Sequence, residues 1–128
     1  MKKLIAALAL STLTGCASFG RSDIIDNMTS ELGRSRPANC PHRWCACYLD
    51  NHLKRAGQKP RKSWRAIDFA SYGHATGAHR GAIMVQRNHV GVVTGTCEDG
   101  SIEAISGNQR NRVGIGCYSR STIIAFRR

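Results

Sequence analysis

The stretch PHRWCACYLDNHLKRAG, residues 41–57, shows which part of the chain forms its central helix. Apolar side chains recur there at helical spacing, and a glycine, a typical residue beyond a helix C-terminus, follows them. The spacing predicts a helix over residues 45–56, with Cys45 in its first turn. Free N–H groups at a helix N-terminus favour a thiolate over a thiol of pKa about 8.5, so Cys45 is a candidate nucleophile. A buried structural cysteine is the alternative.

Two more helices are predicted, one on each side of this stretch. The first would be capped by Ser22 and ended by Gly33, with its apolar side chains on one face. We interpret it as part of a linker or packing arm without visible chemistry. The second would be capped by Ser63 and run to about Tyr72.

Beyond residue 81 the apolar pattern changes from helical to strand-like. Short segments rich in Val and Ile are separated by Gly, Asn and Asp, and Glu98-Asp99-Gly100 is typical of a hairpin turn. Helices followed by such strands predict an α+β domain, with the N-terminal helices packed on a small antiparallel sheet. The predicted strands are residues 82–87, 89–96, 101–106, 112–118 and 122–127.

The N-terminus has the features of an export signal. Two lysines precede an apolar run that is too short to span a bilayer, and the run ends in Leu13-Thr14-Gly15-Cys16. These four residues resemble the lipobox of bacterial lipoproteins, which implies cleavage before Cys16 and lipidation of its thiol. A signal peptide cut elsewhere is the alternative. By the same resemblance, Ala17 after the cysteine favours an outer-membrane lipoprotein that faces the periplasm of the bacterial cell envelope.

Charge narrows the possible partners. Removing residues 1–15 deletes two lysines and no acidic residue, so the formal net charge falls from +11 to +9. The remaining chain is long enough for one domain with one core. A basic protein can bind nucleic acid, anionic lipid or a carboxylate-rich polymer. Export and the lack of a nucleic-acid motif make nucleic acid the least favoured partner.

Four short motifs follow one another between residues 39 and 128. They are Trp44-Cys45-Ala46, Ser63-Trp64, Asn88-His89-Val90-Gly91 and Gly107-Asn108-Gln109. Their order and the elements that carry them resemble papain-like cell-wall cysteine hydrolases of the NlpC and CHAP type, in a lipoprotein form. The resemblance implies no cofactor, and it implies that a thiolate attacks an amide of peptidoglycan, either in the stem peptide or at its link to muramic acid.

The resemblance assigns Cys45 as nucleophile, His89 as the group that exchanges the proton, and Asn108 as the residue that orients the histidine. Glu103 competes for the third role. In an antiparallel pair, residues equally far from the connecting turn lie opposite each other. With the turn at residues 99–100, the position opposite His89 is about residue 110, which is close to Asn108, whereas Glu103 lies near the turn. We therefore favour Asn108 and keep Glu103 in reserve.

The remaining histidines and cysteines have simpler interpretations. His52, His74 and His79 are expected at solvated polar positions, and His42 is interpreted as a surface or entrance group. Four cysteines are left in an exported chain once Cys16 and Cys45 are set aside, which suggests two disulfides. Three pairings are possible, and we prefer the pairs closest in sequence, Cys40 with Cys47 and Cys97 with Cys117. A zinc site of Cys40, Cys45, Cys47 and His42 is the alternative, and it is not favoured because paired Cys-x-x-Cys spacing is absent.

The chain is thus divided into a signal peptide (residues 1–15), a lipidated N-terminus and linker with a short helix (16–39) and a papain-like hydrolase domain (40–128). Two functions from different classes remain open. One is a membrane-anchored endopeptidase or amidase of peptidoglycan. The other is a non-catalytic cell-wall-binding or assembly lipoprotein on the same fold, with Cys45 in a structural role.

Overall fold

The computed structural model describes residues 21–128, so the predicted signal peptide and Cys16 lie outside the described residues. Within them, no helix is both long and apolar enough to cross a membrane. The helices are α1 (Arg21–Thr29), α2 (Cys45–Arg55) and two 3-10 helices (Ala66–Ser71 and Arg120–Thr122). The strands are β1 (Ile83–Gln86), β2 (Val90–Thr96), β3 (Ile102–Gln109), β4 (Arg112–Tyr118) and β5 (Ile123–Arg127).

The five strands form one sheet in the order β4-β3-β2-β1-β5, and every neighbouring pair is antiparallel. The domain is therefore α+β with a small antiparallel sheet, as the order of helical and strand-like patterns predicts. The turn between β2 and β3 also forms as expected: the N–H of Gly100 donates to the carbonyl of Cys97, and Gly100 has a φ of +85°.

The buried apolar side chains form two clusters, a larger core between the helices and one face of the sheet, and a smaller separate cluster. The larger core joins α1 and α2 to side chains of β1, β2 and β3. Residues 16–39, interpreted as a linker with a short helix, thus contain α1, whose Ile24 and Met28 are fully buried in that core. The second cluster contains Ala82, Met84, Val93, Ile102 and Ala104.

Close packing between α2 and β3 positions the first turn of α2. A Cβ at Gly107 would lie 2.7 Å from Tyr48 and 2.8 Å from the Trp44 ring, so only glycine lets β3 approach the helix this closely. Trp44 and Tyr48 pack edge to face with ring centroids 5.6 Å apart. The glycine of the Gly-Asn-Gln motif is therefore a packing requirement of the helix that carries Cys45.

Two disulfides connect these elements, Cys40–Cys47 and Cys97–Cys117, in the pairing preferred from the sequence. The first ties the chain before α2 to the first turn of the helix, and the second connects the end of β2 to β4 across β3. Disulfides of this kind stabilise a domain by about 2–4 kcal/mol, largely through the unfolded state. The first also removes Cys40 and Cys47 as ligands for the zinc site considered above.

The helix predicted from Ser63 to Tyr72 is wrong in type and in its start. The structure has a 3-10 helix over Ala66–Ser71. The Ser63 hydroxyl donates to Asp68 and accepts from the backbone N–H of Arg65, so the chain forms a side-chain-stabilised turn before the helix. Trp64, which the predicted helix would include, lies before the 3-10 helix and is 62% exposed.

The expectation that His52 is solvated is also wrong, because His52 is buried under the end of α1. Its Nε2 lies 2.8 Å from Oε1 of Glu31, which also accepts the Tyr48 hydroxyl at 2.8 Å. Burial would raise the pKa of Glu31, but the hydrogen bonds from Tyr48, His52 and Arg55 outweigh it and lower that pKa. Burial lowers the pKa of His52, and its Nδ1 has no partner within the described residues. His52 is therefore neutral and donates from Nε2.

We expect Glu31→Ala to destabilise the domain by about 1–3 kcal/mol, because it leaves the buried Tyr48 hydroxyl and His52 N–H without an acceptor. Urea unfolding monitored by circular dichroism measures the change. Asp26→Asn is the matched control, since Asp26 lies exposed on the adjoining helix without a side-chain partner among the described residues. Equal stability of the two variants would contradict the role given to Glu31.

Candidate active site

Cys45 is the first residue of α2 and the single free cysteine of the described residues. It is 4% exposed. Its Sγ lies 4.0 Å from the carbonyl oxygen of Asn88, and the backbone N–H of Val90 is within hydrogen-bonding range of the sulfur. The thiol therefore contacts the backbone on both sides of His89, so the structure brings these two predicted site residues together.

The expectation of a lowered thiol pKa is not met in the free protein. Burial raises the pKa of the Cys45 thiol, and the backbone N–H groups of Val90, Ala46 and Cys45 lower it by less. The helix N-terminus acts in the expected direction, but removal of the thiolate from water has the larger effect. Cys45 is therefore a neutral thiol at neutral pH.

His89 lies immediately before β2 and is partly buried. Burial lowers its pKa to about 4, so the imidazole is neutral at neutral pH. Its Nε2 lies 2.8 Å from the Ser106 hydroxyl and 3.0 Å from the Tyr118 hydroxyl. The Tyr118 ring stacks on the imidazole, with centroids 5.3 Å apart and planes 19° from parallel. The ring is thus fixed in position by Ser106 and Tyr118.

The hydrogen bonds of Tyr118 indicate which ring nitrogen of His89 carries the proton. The Tyr118 hydroxyl donates to Oε1 of Gln109 at 2.7 Å, so its oxygen is an acceptor toward the imidazole. A proton on Nε2 can then be donated to Tyr118 or to Ser106. This arrangement leaves Nδ1 with the lone pair, as a general base requires.

Two residues of the Gly-Asn-Gln motif other than Asn108 support the site. Gly107 leaves room for the close packing of α2 on β3, and the Gln109 side chain accepts a hydrogen bond from Tyr118 on the neighbouring strand β4. A Cβ at Gly116 would lie 2.7 Å from Nε2 of Gln109, so the glycine in β4 makes room for that side chain. The motif therefore stabilises the site by packing and by an indirect hydrogen-bond link to His89.

Asn108 makes no hydrogen bond to His89 among the described residues, although the resemblance assigned it the orienting role. Continuing the pairing of Val92 with Ile105 by three residues does bring residue 108 level with His89, as expected. However, Asn108 lies at an irregularity of β3 and has a φ of +58°, which takes it out of regular strand geometry. Within the described residues its side chain makes no hydrogen bond, and Ser106 and Tyr118 occupy the Nε2 side of the ring.

Glu103, the reserve candidate, is directed elsewhere. It pairs with Gly95 near the hairpin turn, and its Oε1 accepts the Thr94 hydroxyl at 2.7 Å. This hydrogen bond gives the Glu103 carboxylate a partner on the adjoining strand β2. The structure therefore gives no support to Glu103 as a partner of His89.

The sequence pattern does not single out Ser106, Tyr118 or Gln109 as members of the hydrogen-bond network of His89. Ser106 is the last residue of its predicted strand, and in the structure it is fully buried. A hydroxyl at a buried position of an apolar strand was the available signal, because such groups require a partner. Tyr118 lies at the end of β4, and only the sheet register shows that it faces His89.

A pocket of about 400 Å³ opens beside the thiol. Cys45 lines it together with Asn88, whose carbonyl contacts the sulfur. Asp50 of α2 holds the loop that leads to the pocket wall, since its carboxylate accepts the backbone N–H groups of Arg61 and Lys62 at 2.8 Å each. The other lining residues are Arg43, Trp64, Arg65, Ala66, Ile67 and Arg87.

The described residues contain no group of three or more His, Cys, Asp or Glu side chains that could hold a metal ion. The arrangement suits acyl transfer: a thiol in contact with the backbone on both sides of a histidine whose Nε2 is hydrogen-bonded, next to a pocket for the acyl group. The backbone N–H groups of Cys45 and Ala46 at the start of α2 are candidate donors to an oxyanion.

When the chain is compared with protein-family models, with curated proteins and with solved structures, nothing matches it. The assignment of function therefore depends on the site itself.

We expect iodoacetamide to modify Cys45 slowly at pH 7 and faster as the pH rises, with a midpoint above the ordinary cysteine value of about 8.5. Burial of the thiol is the reason, because it disfavours the thiolate. Peptide mapping after timed alkylation under non-reducing conditions measures the rate at this site. A midpoint below pH 7 would show that a preformed thiolate exists in the free protein.

Proposed function

We propose that the protein is a membrane-anchored cysteine hydrolase that cleaves an amide bond of peptidoglycan, with a papain-like domain of the NlpC and CHAP type. The observation that carries the proposal is the contact of the Cys45 thiol with the backbone on both sides of His89, at the edge of an open pocket. A purely structural cysteine would need neither a fixed imidazole beside it nor a pocket.

The proposed reaction begins from a neutral thiol and a neutral imidazole. As Sγ of Cys45 bonds to the amide carbonyl carbon, the thiol proton passes to Nδ1 of His89 and the carbonyl oxygen becomes an oxyanion. The imidazolium then protonates the leaving nitrogen as the C–N bond breaks, which leaves a thioester on Cys45. Water, deprotonated by His89, hydrolyses that thioester and restores the thiol.

Ser106, Tyr118 and Gln109 are positioning residues in this proposal. While the imidazole is transiently charged, Nε2–H keeps an acceptor in Ser106 or Tyr118, and Tyr118 keeps its own acceptor in Gln109. Hydrogen bonds to a charged group are stronger than those to a neutral one, so this support increases as the proton arrives. The chain thus aids proton transfer without a carboxylate.

Attachment to a membrane is the second part of the proposal. It depends on the lipobox-like sequence that ends in Cys16, and more than one acyl chain on that residue would give stable anchoring. The protein would then act in the bacterial cell envelope, with the outer membrane facing the periplasm as the favoured site. The basic charge of the chain is compatible with an anionic wall polymer as substrate.

Cys45→Ala is expected to abolish release of soluble fragments from purified peptidoglycan, because the Cys45 thiol forms the thioester in the proposed reaction. Mass spectrometry of the supernatant measures the release and identifies the bond that is cut. The variant should retain the wild-type circular dichroism spectrum and melting temperature. Wild-type protein that binds the polymer but releases no fragment would instead favour the non-catalytic wall-binding lipoprotein.

Tyr118→Phe is expected to lower kcat by about tenfold, the effect of losing one hydrogen bond of about 1–1.5 kcal/mol to the imidazolium. Asn108→Gly is the matched comparison, since glycine accepts the left-handed backbone there, and it should stay within about twofold of wild type. Initial rates on a soluble muropeptide give both values. A larger loss for Asn108→Gly than for Tyr118→Phe would return the orienting role to Asn108.

A further inference from the structure

The pocket beside Cys45 has an unusual charge distribution. Three arginines from separate segments line it: Arg43 before α2, Arg65 before the 3-10 helix Ala66–Ser71, and Arg87 after β1. No aspartate or glutamate is among the residues that line it. All the charged side chains that line the pocket are therefore positive.

The guanidinium groups of these arginines also have no bonding partner among the described residues. Across residues 21–128, none of the three guanidinium groups makes a hydrogen bond or an ion pair, and all three residues are exposed. Arginines elsewhere are used within the fold: Arg55 bonds to Glu31, and Arg127 bonds to the carbonyl of Tyr72. The pocket arginines thus retain their donors for a ligand.

The geometry points to a substrate with a free carboxylate close to the scissile amide, bound by the arginines Arg43, Arg65 and Arg87 that line the pocket. A guanidinium matches a carboxylate with two parallel N–H donors, and the two oxygens of a carboxylate can accept from more than one arginine. A phosphate could accept the same donors, but a phosphodiester polymer offers no amide for the thiol to attack. The inference rests on the proposed function and narrows its substrate to peptidoglycan stem peptides whose carboxyl groups are free, not amidated.

The fluorescence of Trp64 can report ligand binding in this pocket. It lines the pocket and is 62% exposed, whereas Trp44, the other tryptophan of the chain, is fully buried. A ligand that enters the pocket should alter Trp64 fluorescence, and Trp64→Phe should remove that change. Binding can therefore be measured separately from cleavage.

The binding test uses Cys45→Ala, which cannot consume the ligand, and two muropeptides that differ only in free or amidated carboxyl groups. We expect the free-acid peptide to bind at least about tenfold more tightly, a difference typical of one well-formed charge-assisted contact. Arg43→Gln, Arg65→Gln and Arg87→Gln, each made in Cys45→Ala, should each remove most of that preference. Lys54→Gln, an equal loss of charge on the exposed end of α2, should leave it unchanged.

Equal affinity for the two peptides, or an equal loss with Lys54→Gln, would overturn the inference. The same peptides given to the enzyme with Cys45 intact separate this failure from failure of the proposed function. Cleavage of both at equal kcat/KM would retain the hydrolase and contradict the carboxylate requirement. Preferential binding without cleavage of either peptide would retain the anion pocket and contradict the hydrolase.

Discussion

The approach of β3 to the first turn of α2 is the constraint on which the rest of the site depends. Gly107 permits this approach, since any side chain there would overlap Trp44 and Tyr48. The same contact holds the helix start, and with it Cys45, against the backbone that flanks His89. A shift of the helix by one side-chain radius would move the thiol away from this backbone. The Cys40–Cys47 disulfide fixes the chain that enters the helix and limits such a shift.

Burial defines the protonation state of the pair. It raises the pKa of the Cys45 thiol and lowers the pKa of His89 to about 4, so neither group is charged in the free protein. Such a pair differs from a preformed thiolate–imidazolium pair, because in the proposed reaction the charges are created only as the proton moves during attack. Donors and acceptors already in place would then stabilise charge where it develops, without reorganisation. In the proposed hydrolase, the uncharged state also keeps the buried thiol unreactive until a substrate is bound.

Much of this arrangement could be predicted from local patterns. Helical spacing gave α2 to within a residue, the apolar strands with their glycine and asparagine boundaries gave the sheet, and cysteine spacing gave the disulfides. Two kinds of error remained. The balance between helix-end electrostatics and burial at Cys45 depends on depth in the fold, which the sequence does not report. The partners of His89 depend on register and on the left-handed backbone at Asn108, and these bring Ser106 and Tyr118 together from distant positions.

The central claim is that Cys45 forms a covalent bond to the acyl part of an amide substrate. Rapid acid quenching during turnover of a soluble muropeptide, followed by intact-protein mass spectrometry and peptide mapping, tests this claim most directly. The account predicts a transient mass increase equal to the acyl fragment, on the peptide that contains Cys45, and none with Cys45→Ala. Fragment release by the wild-type protein with no adduct at any quench time, and unchanged release by Cys45→Ala, would contradict it.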